Sequence, residues 1–190
     1  MMPTSTVMER SMSHPRTAVV LLLALTVPAG ATAASPQEIA RGGYIVATSG
    51  CADCHAPLKM GPNGPATDLS RGLSGHPAGM TLPPPPAPQG PWIAGMAATN
   101  TAFHGPWGIS YAINLTPDRA TGIGAWKVDD FVAAMRTGKH LGVGRPIMPP
   151  MPWPAYAQMT DADLRAIFAY LMAQPAVVNA VPDAVVAARP

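Results

Sequence analysis

Apolar residues recur at helical spacing in three stretches of this 190-residue chain and lose all period in between. The first stretch opens at Ser35-Pro36-Gln37-Glu38, a Ser N-cap with Pro at N1 and Glu at N3. Ile39, Gly42 and Val46 follow on one face, and Gly50 is placed to end the helix. A second helix is predicted over Val128 to Thr137, with Asp129 and Asp130 in the first turn and Gly138 as terminator. The third has a Thr160 cap, Asp163 at N3, and Leu164, Ile167, Phe168 and Leu171 as an i, i+3, i+4, i+7 stripe before Pro175. Between Cys54 and Trp126 no period is sustained, and the stretch includes Gly61-Pro62-Asn63-Gly64-Pro65 and the proline run Pro83 to Pro88. That run favours polyproline II on the surface. A structureless segment so long inside a compact domain implies disorder, or wrapping around something that is not protein.

Composition sharpens this oddity. The chain holds 24 Pro and 18 Gly, while Leu, Ile, Val and Phe together make up about a fifth, near the lower limit for building a core. Yet only 12% of residues are charged and the formal net charge is +2, so the high charge that accompanies disorder is missing. No basic patch stands out, which excludes nucleic acid as a partner. At the N-terminus, Arg10 and Arg16 precede an apolar run from Ala18 to Val27 and a small-x-small site at Ala31-Thr32-Ala33. This reads as a secretory signal over residues 1–33, with Met1 or Met12 as the start. The apolar run is shorter than the roughly 20 residues a bilayer span needs, so no integral span is expected after cleavage. The expected address is the periplasm of a bacterium, with a main domain over residues 34–182 and a tail over 183–190.

The two cysteines lie together in Cys51-Ala52-Asp53-Cys54-His55, a C-x-x-C-H sequence. This is the covalent attachment signature of c-type haem. Two thiols about one helical turn apart can each form a thioether with a vinyl group, and the adjacent imidazole can reach the iron from the same side. A thioredoxin-like dithiol would want a βαβ context, which is absent. A zinc site would need further ligands, and His76, His104 and His140 lack finger-like spacing. A disulfide here would close a very small loop and stabilise little. For a sixth ligand, Met148 and Met151 stand apart from the other methionines. Both sit in Pro146-Ile147-Met148-Pro149-Pro150-Met151-Pro152-Trp153-Pro154, where prolines can hold a thioether rigidly.

The sequence at this point resembles the class I cytochromes c. It is similar to bacterial periplasmic monohaem proteins and to the haem modules of dehydrogenase-associated cytochrome subunits. The matching stretches are Ala40-Arg41-Gly42-Gly43-Tyr44-Ile45, Asn114-Leu115-Thr116-Pro117-Asp118, Thr121-Gly122-Ile123-Gly124-Ala125-Trp126, Pro150-Met151-Pro152-Trp153 and Leu164 to Leu171. The resemblance implies an all-α class I fold, three or more short helices around one covalent haem. A long Pro/Gly-rich loop at about 57–113 would join the haem motif to the middle helix. It implies that Cys51 and Cys54 carry the haem, that His55 and Met151 are the axial iron ligands, and that Gly42 lets the first helix cross the last near Tyr170 and Leu171. It further implies that the Pro62 carbonyl accepts from Nδ1-H of His55, and that Trp126 and Asn114 approach the haem propionates. Two departures are Lys127, where a Ser or Thr cap is usual, and the length from Met60 to Ile113, which leaves His76 and His104 as rival ligands.

The expected function is outer-sphere electron transfer by one haem c, with no independent enzymatic activity. Expected partners are redox proteins: a dehydrogenase as donor, an oxidase or another cytochrome as acceptor. One alternative is a cytochrome c subunit of a dehydrogenase complex. Others are a haem sensor or peroxidase-like protein with an open sixth site, and a non-haem metal or redox protein.

Overall fold

The computed structural model describes Met1, residues 33–87 and residues 90–187. The secretory segment therefore lies outside the described residues, apart from its two ends. All three sequence-predicted helices are present: α1, Pro36–Thr48; α3, Val128–Thr137; and α5, Asp161–Met172. Short helices add α2, Cys51–His55, and α4, Trp153–Tyr156. The caps work as their residue types suggest. The hydroxyl oxygen of Ser35 accepts from the N–H of Glu38 at 3.2 Å, and that of Thr160 from the N–H of Asp163 at 3.1 Å. At α3 the missing Ser or Thr is offset from the other direction. The Asp130 carboxylate accepts from the backbone N–H of Lys127 at 2.8 Å.

Helices α1, α3 and α5 bury one shared cluster: Ile45 and Val46, then Ile123 and Phe131, then Leu164, Ile167, Phe168 and Leu171. The rings of Phe131 and Phe168 meet with centroids 5.6 Å apart. The α1–α5 crossing is closest at Gly42, where a β-carbon would overlap the backbone carbonyl of Ala166 and press on Tyr170. Glycine here is a steric requirement of the crossing.

The all-α expectation is overturned. Among the described residues strand accounts for 15% against 31% helix, in two antiparallel sheets. Strands β1, Leu58–Gly61, and β2, Gly64–Thr67, form a hairpin. Strands β3, Gly95–Met96; β4, Ala102–Gly105; β5, Gly108–Tyr111; and β6, Val185–Val186, form a sheet in that order. The segment expected to be one long loop thus carries five of the six strands. β6, from the expected tail, completes the second sheet. The physical reason these were missed is that strands of two to four residues are too short to show alternation. β2 reads Gly-Pro-Ala-Thr and is mostly exposed.

What fills the aperiodic segment is polar rather than aliphatic. Ser74, His76, Thr99, Thr101, Asn114, Thr116 and Asn179 are all buried. Thr101 Oγ1 lies 2.9 Å from His76 Nδ1 and 2.8 Å from Thr99 Oγ1. Asn114 donates to Val177 O and accepts from the Thr116 N–H and hydroxyl. This network ties residues 71–121 to the chain beyond α5. Buried polar groups are tolerated where they are hydrogen-bonded; the Ser74 hydroxyl is the exception, buried without a partner among the described residues.

Candidate functional site

Helix α2 starts from Gly50, whose φ of +71° lets the chain turn sharply out of α1. The three-residue spacing then sets Cys51 and Cys54 on one face of α2, with His55 directly after. Both thiols, the imidazole of His55 and both candidate methionines, Met148 and Met151, border one cavity of about 390 Å³. Most of the remaining wall is apolar core, including Ile123, Phe131, Ala134, Leu164, Ile167 and Leu171. The volume falls within the range of small-molecule and cofactor pockets.

His55 is buried, and its Nδ1 sits 2.8 Å from the backbone carbonyl of Ile113. A carbonyl only accepts, so Nδ1 carries the proton and donates, and Nε2 keeps its lone pair. Burial lowers the imidazole pKa from its ordinary 6.5, against an opposing pull from that carbonyl. The ring is therefore neutral at physiological pH, as a metal ligand must be. The expectation for Pro62 is corrected here: Pro62 is exposed in the β1–β2 turn, and Ile113 is the acceptor. The reason is the added sheet, because Ile113 leaves β5 directly beneath His55.

The thiols are pushed the other way. Burial raises Cys51 to about 11, with Asp53 and Cys54 adding to it, and raises Cys54 with help from Asp53. Redox-active dithiols have a depressed pKa, so this pair does not behave like a thioredoxin-type nucleophile. The two sulfurs are not joined to each other in a disulfide. Among the described residues no group of three or more His, Cys, Asp or Glu is placed to hold a metal ion.

Other expected site residues fall in three places. Trp126 borders the cavity and meets the His140 ring edge-on, centroids 5.0 Å apart. Asn114 borders a smaller adjoining recess instead, with its amide group already bonded within the chain. His76 is fully buried, away from the cavity. Thr101 lies against its Nδ1 and the Met80 carbonyl 3.3 Å from Nε2. His104 stands on β4 opposite Gly95. Neither rival histidine reaches the cavity wall.

The structure adds Arg145 and Tyr156, which the sequence did not single out, and gives His140, raised there only as a zinc candidate, a place on the wall. Arg145 and His140 border both the cavity and the adjoining recess, beside Trp126. They form a cationic and polar end on an otherwise apolar void. Tyr156 closes another side: its hydroxyl donates to the Ser49 carbonyl at 2.7 Å, joining α4 to the end of α1. Burial, then Cys51, Cys54 and Asp53, push its pKa up to about 12, so it stays a donor. The signal that could have located Arg145 was its position before Pro146, in the same proline-rich segment as the methionines.

These residues fit haem c. Two thiols at attachment spacing, an imidazole with its outer nitrogen already bonded, thioethers, apolar walls and one polar end meet around a single void.

No family model matches the chain. A nicotinate dehydrogenase subunit of Pseudomonas putida is 31% identical over 160 residues, 84% of this chain and 10% of that protein. The fructose dehydrogenase cytochrome subunit of Gluconobacter japonicus is 30% identical over 169 residues, 86% of this chain and 28% of that one. The gluconate 2-dehydrogenase cytochrome c subunit of Pantoea cypripedii is 45% identical over 67 residues, 35% of this chain and 15% of that protein. The chain thus spans less than a third of the length of these curated relatives. Its likeness to cytochrome c subunits of dehydrogenases supports a cytochrome c-like module, for which haem c and iron are the implied cofactor.

Proposed function

We propose that this chain is a monohaem electron-transfer module, related to the class I cytochromes, that serves as a cytochrome subunit of a dehydrogenase complex in the bacterial periplasm. Residues 1–33 would be removed on export, leaving 34–190. The observation that carries the reading is the shared cavity: Cys51, Cys54, His55 and the Met148–Met151 segment face one apolar void. Cys51 and Cys54 would hold the haem covalently, and His55 would bind iron through Nε2. Met151 is assigned the opposite side because it alone stands in the Met-Pro-Trp-Pro context.

When bound, haem c supplies a one-electron ferrous–ferric couple. The chain's contribution is to hold, tune and insulate. The Ile113 carbonyl orients the His55 ring and raises its basicity. A thioether ligand and apolar walls favour the less charged ferrous state. Arg145, His140 and Trp126 would meet the propionates. The exposed prolines 149, 150 and 152 lack backbone donors and keep the Met151 segment stiff. No residue set on this wall acts as acid, base or nucleophile toward a substrate.

The subunit reading is preferred to the free carrier first expected from the sequence, because several relatives are named as cytochrome subunits of dehydrogenases. The test is purification of the exported protein at native expression level. A pyridine haemochrome ratio of one haem per chain, with stoichiometric co-purification of a dehydrogenase subunit, is the expected result. A colourless chain would sink the haem assignment, and a haem-loaded monomer would sink the complex.

A further inference from the structure

The carbonyl that binds His55 is held in place by a brace built from a glycine and a residue near the C-terminus. The N–H of Gly75 donates to the carbonyl of His55 at 2.8 Å, while its α-carbon lies against the Ala112–Ile113 peptide. A β-carbon at this position would stand 2.6 Å from both the carbonyl carbon and the oxygen of Ile113, and φ is +75°. Position 75 is thus wedged between His55 and its acceptor, where only glycine fits. On either side, His76 N–H donates to Ala112 O and Leu115 N–H to Leu73 O, both at 2.9 Å.

Asn179 fixes that wedge. It is 4% exposed. Its amide Nδ2 donates to the carbonyls of Ser74 and His76, at 2.7 and 2.8 Å, which are the two carbonyls flanking Gly75. Its Oδ1 accepts from Ala78 N–H and Arg71 Nη2, both at 2.9 Å. One side chain therefore holds the Ser74–Gly75 and His76–Pro77 peptides, on either side of the Gly75 α-carbon. No other side-chain amide in the described residues bridges these carbonyls.

We propose that Gly75 and Asn179 are positioning residues: they press the Ile113 carbonyl against the Nδ1-H of His55 and so set the ferrous–ferric balance of the iron that His55 would bind. The inference rests on the haem reading above. A firm Nδ1-H···O=C bond gives the imidazole anionic character, which favours the ferric state. Slackening the brace weakens that character and favours the ferrous state. General loosening acts in the opposite sense, because entering water stabilises the extra charge of the ferric form. The sign of the change thus separates positioning from plain structural support.

The experiment uses exported holoprotein carrying Gly75→Ala, Asn179→Ala or the milder Asn179→Ser. Three quantities are read: midpoint potential, the red-region sulfur-to-iron band, and the His55 Nδ1-H proton resonance in the reduced state. The expected result for the two Ala variants is a shift of about tenfold toward the ferrous form, ~59 mV upward for a one-electron couple. The sulfur band stays in place and the Nδ1-H resonance moves. Asn179→Ser shifts less, in the same direction, and decides the matter if the Ala variants fail to mature. An unchanged or lowered potential in the matured variants overturns the proposal. Wild-type protein with no pyridine haemochrome overturns the haem reading itself, which a failure of the brace alone would leave standing.

Discussion

Burial is the first cause of the pKa shift at Cys51, Cys54, His55, His140 and Tyr156, ahead of any charge. It leaves every one of these groups neutral at pH 7. The two methionines differ in sequence context rather than in placement. Met151→Leu should abolish the sulfur-to-iron band of the oxidised protein while Met148→Leu keeps it; the reverse spectra would reassign the ligand. His76 carries a separate prediction. Burial lowers its folded-state pKa below the ordinary 6.5. As pH falls through 6.5 the unfolded chain takes up a proton first, so stability is flat above that value and declines below it. Urea midpoints between about pH 7 and 5 should show this decline, and His76→Asn should lessen it, leaving the part that His140 contributes in the same direction.

At the scale of elements, the α1–α5 crossing is set by one position. Gly42→Val puts a branched side chain into the Ala166 carbonyl and should cost about 3 kcal/mol in a denaturant titration. Gly79→Ala, with nothing within 4 Å, should stay within about 0.5 kcal/mol. The three long helices were legible because each carries a cap and a stripe, as at Thr160 and Leu164 to Leu171. The strands were not. β3 and β6 have two residues each, too few to show a period, and β6 owes its pairing to β5, far back along the chain. The same distance hid the His55 acceptor. Ile113 is 58 residues from His55, and the family analogy pointed to the nearer Pro62. The cysteines proposed to hold the haem, by contrast, lie within one short motif.

For the whole molecule, the scarcity of aliphatic residues now has a structural counterpart. The helical half has an apolar cluster with a void beside it, and the rest of the described chain is held by buried Asn, Thr, Ser and His. A chain so built gains little from burial unless the void is filled. Without haem, residues 34–190 should be largely unfolded, seen as loss of far-ultraviolet helical signal in the Cys51→Ala, Cys54→Ala double variant. A native-like spectrum from that variant would show that the polar network suffices.

Apart from Ser49 and Gly50, what shuts the site follows it in chain order. Ile113, the methionine segment and Asn179 all come after Cys54, and Ala184 also borders the cavity. In the export proposed above, a chain crossing a membrane from its N-terminus would present both thiols before their covers arrive. In that interval the Cys51 thiol lacks the burial that raises it to about 11, so its reactive thiolate is more abundant at a given pH. Bond formation to the cysteines is thus favoured early, and closure of the tail marks the end of the period in which it is easy.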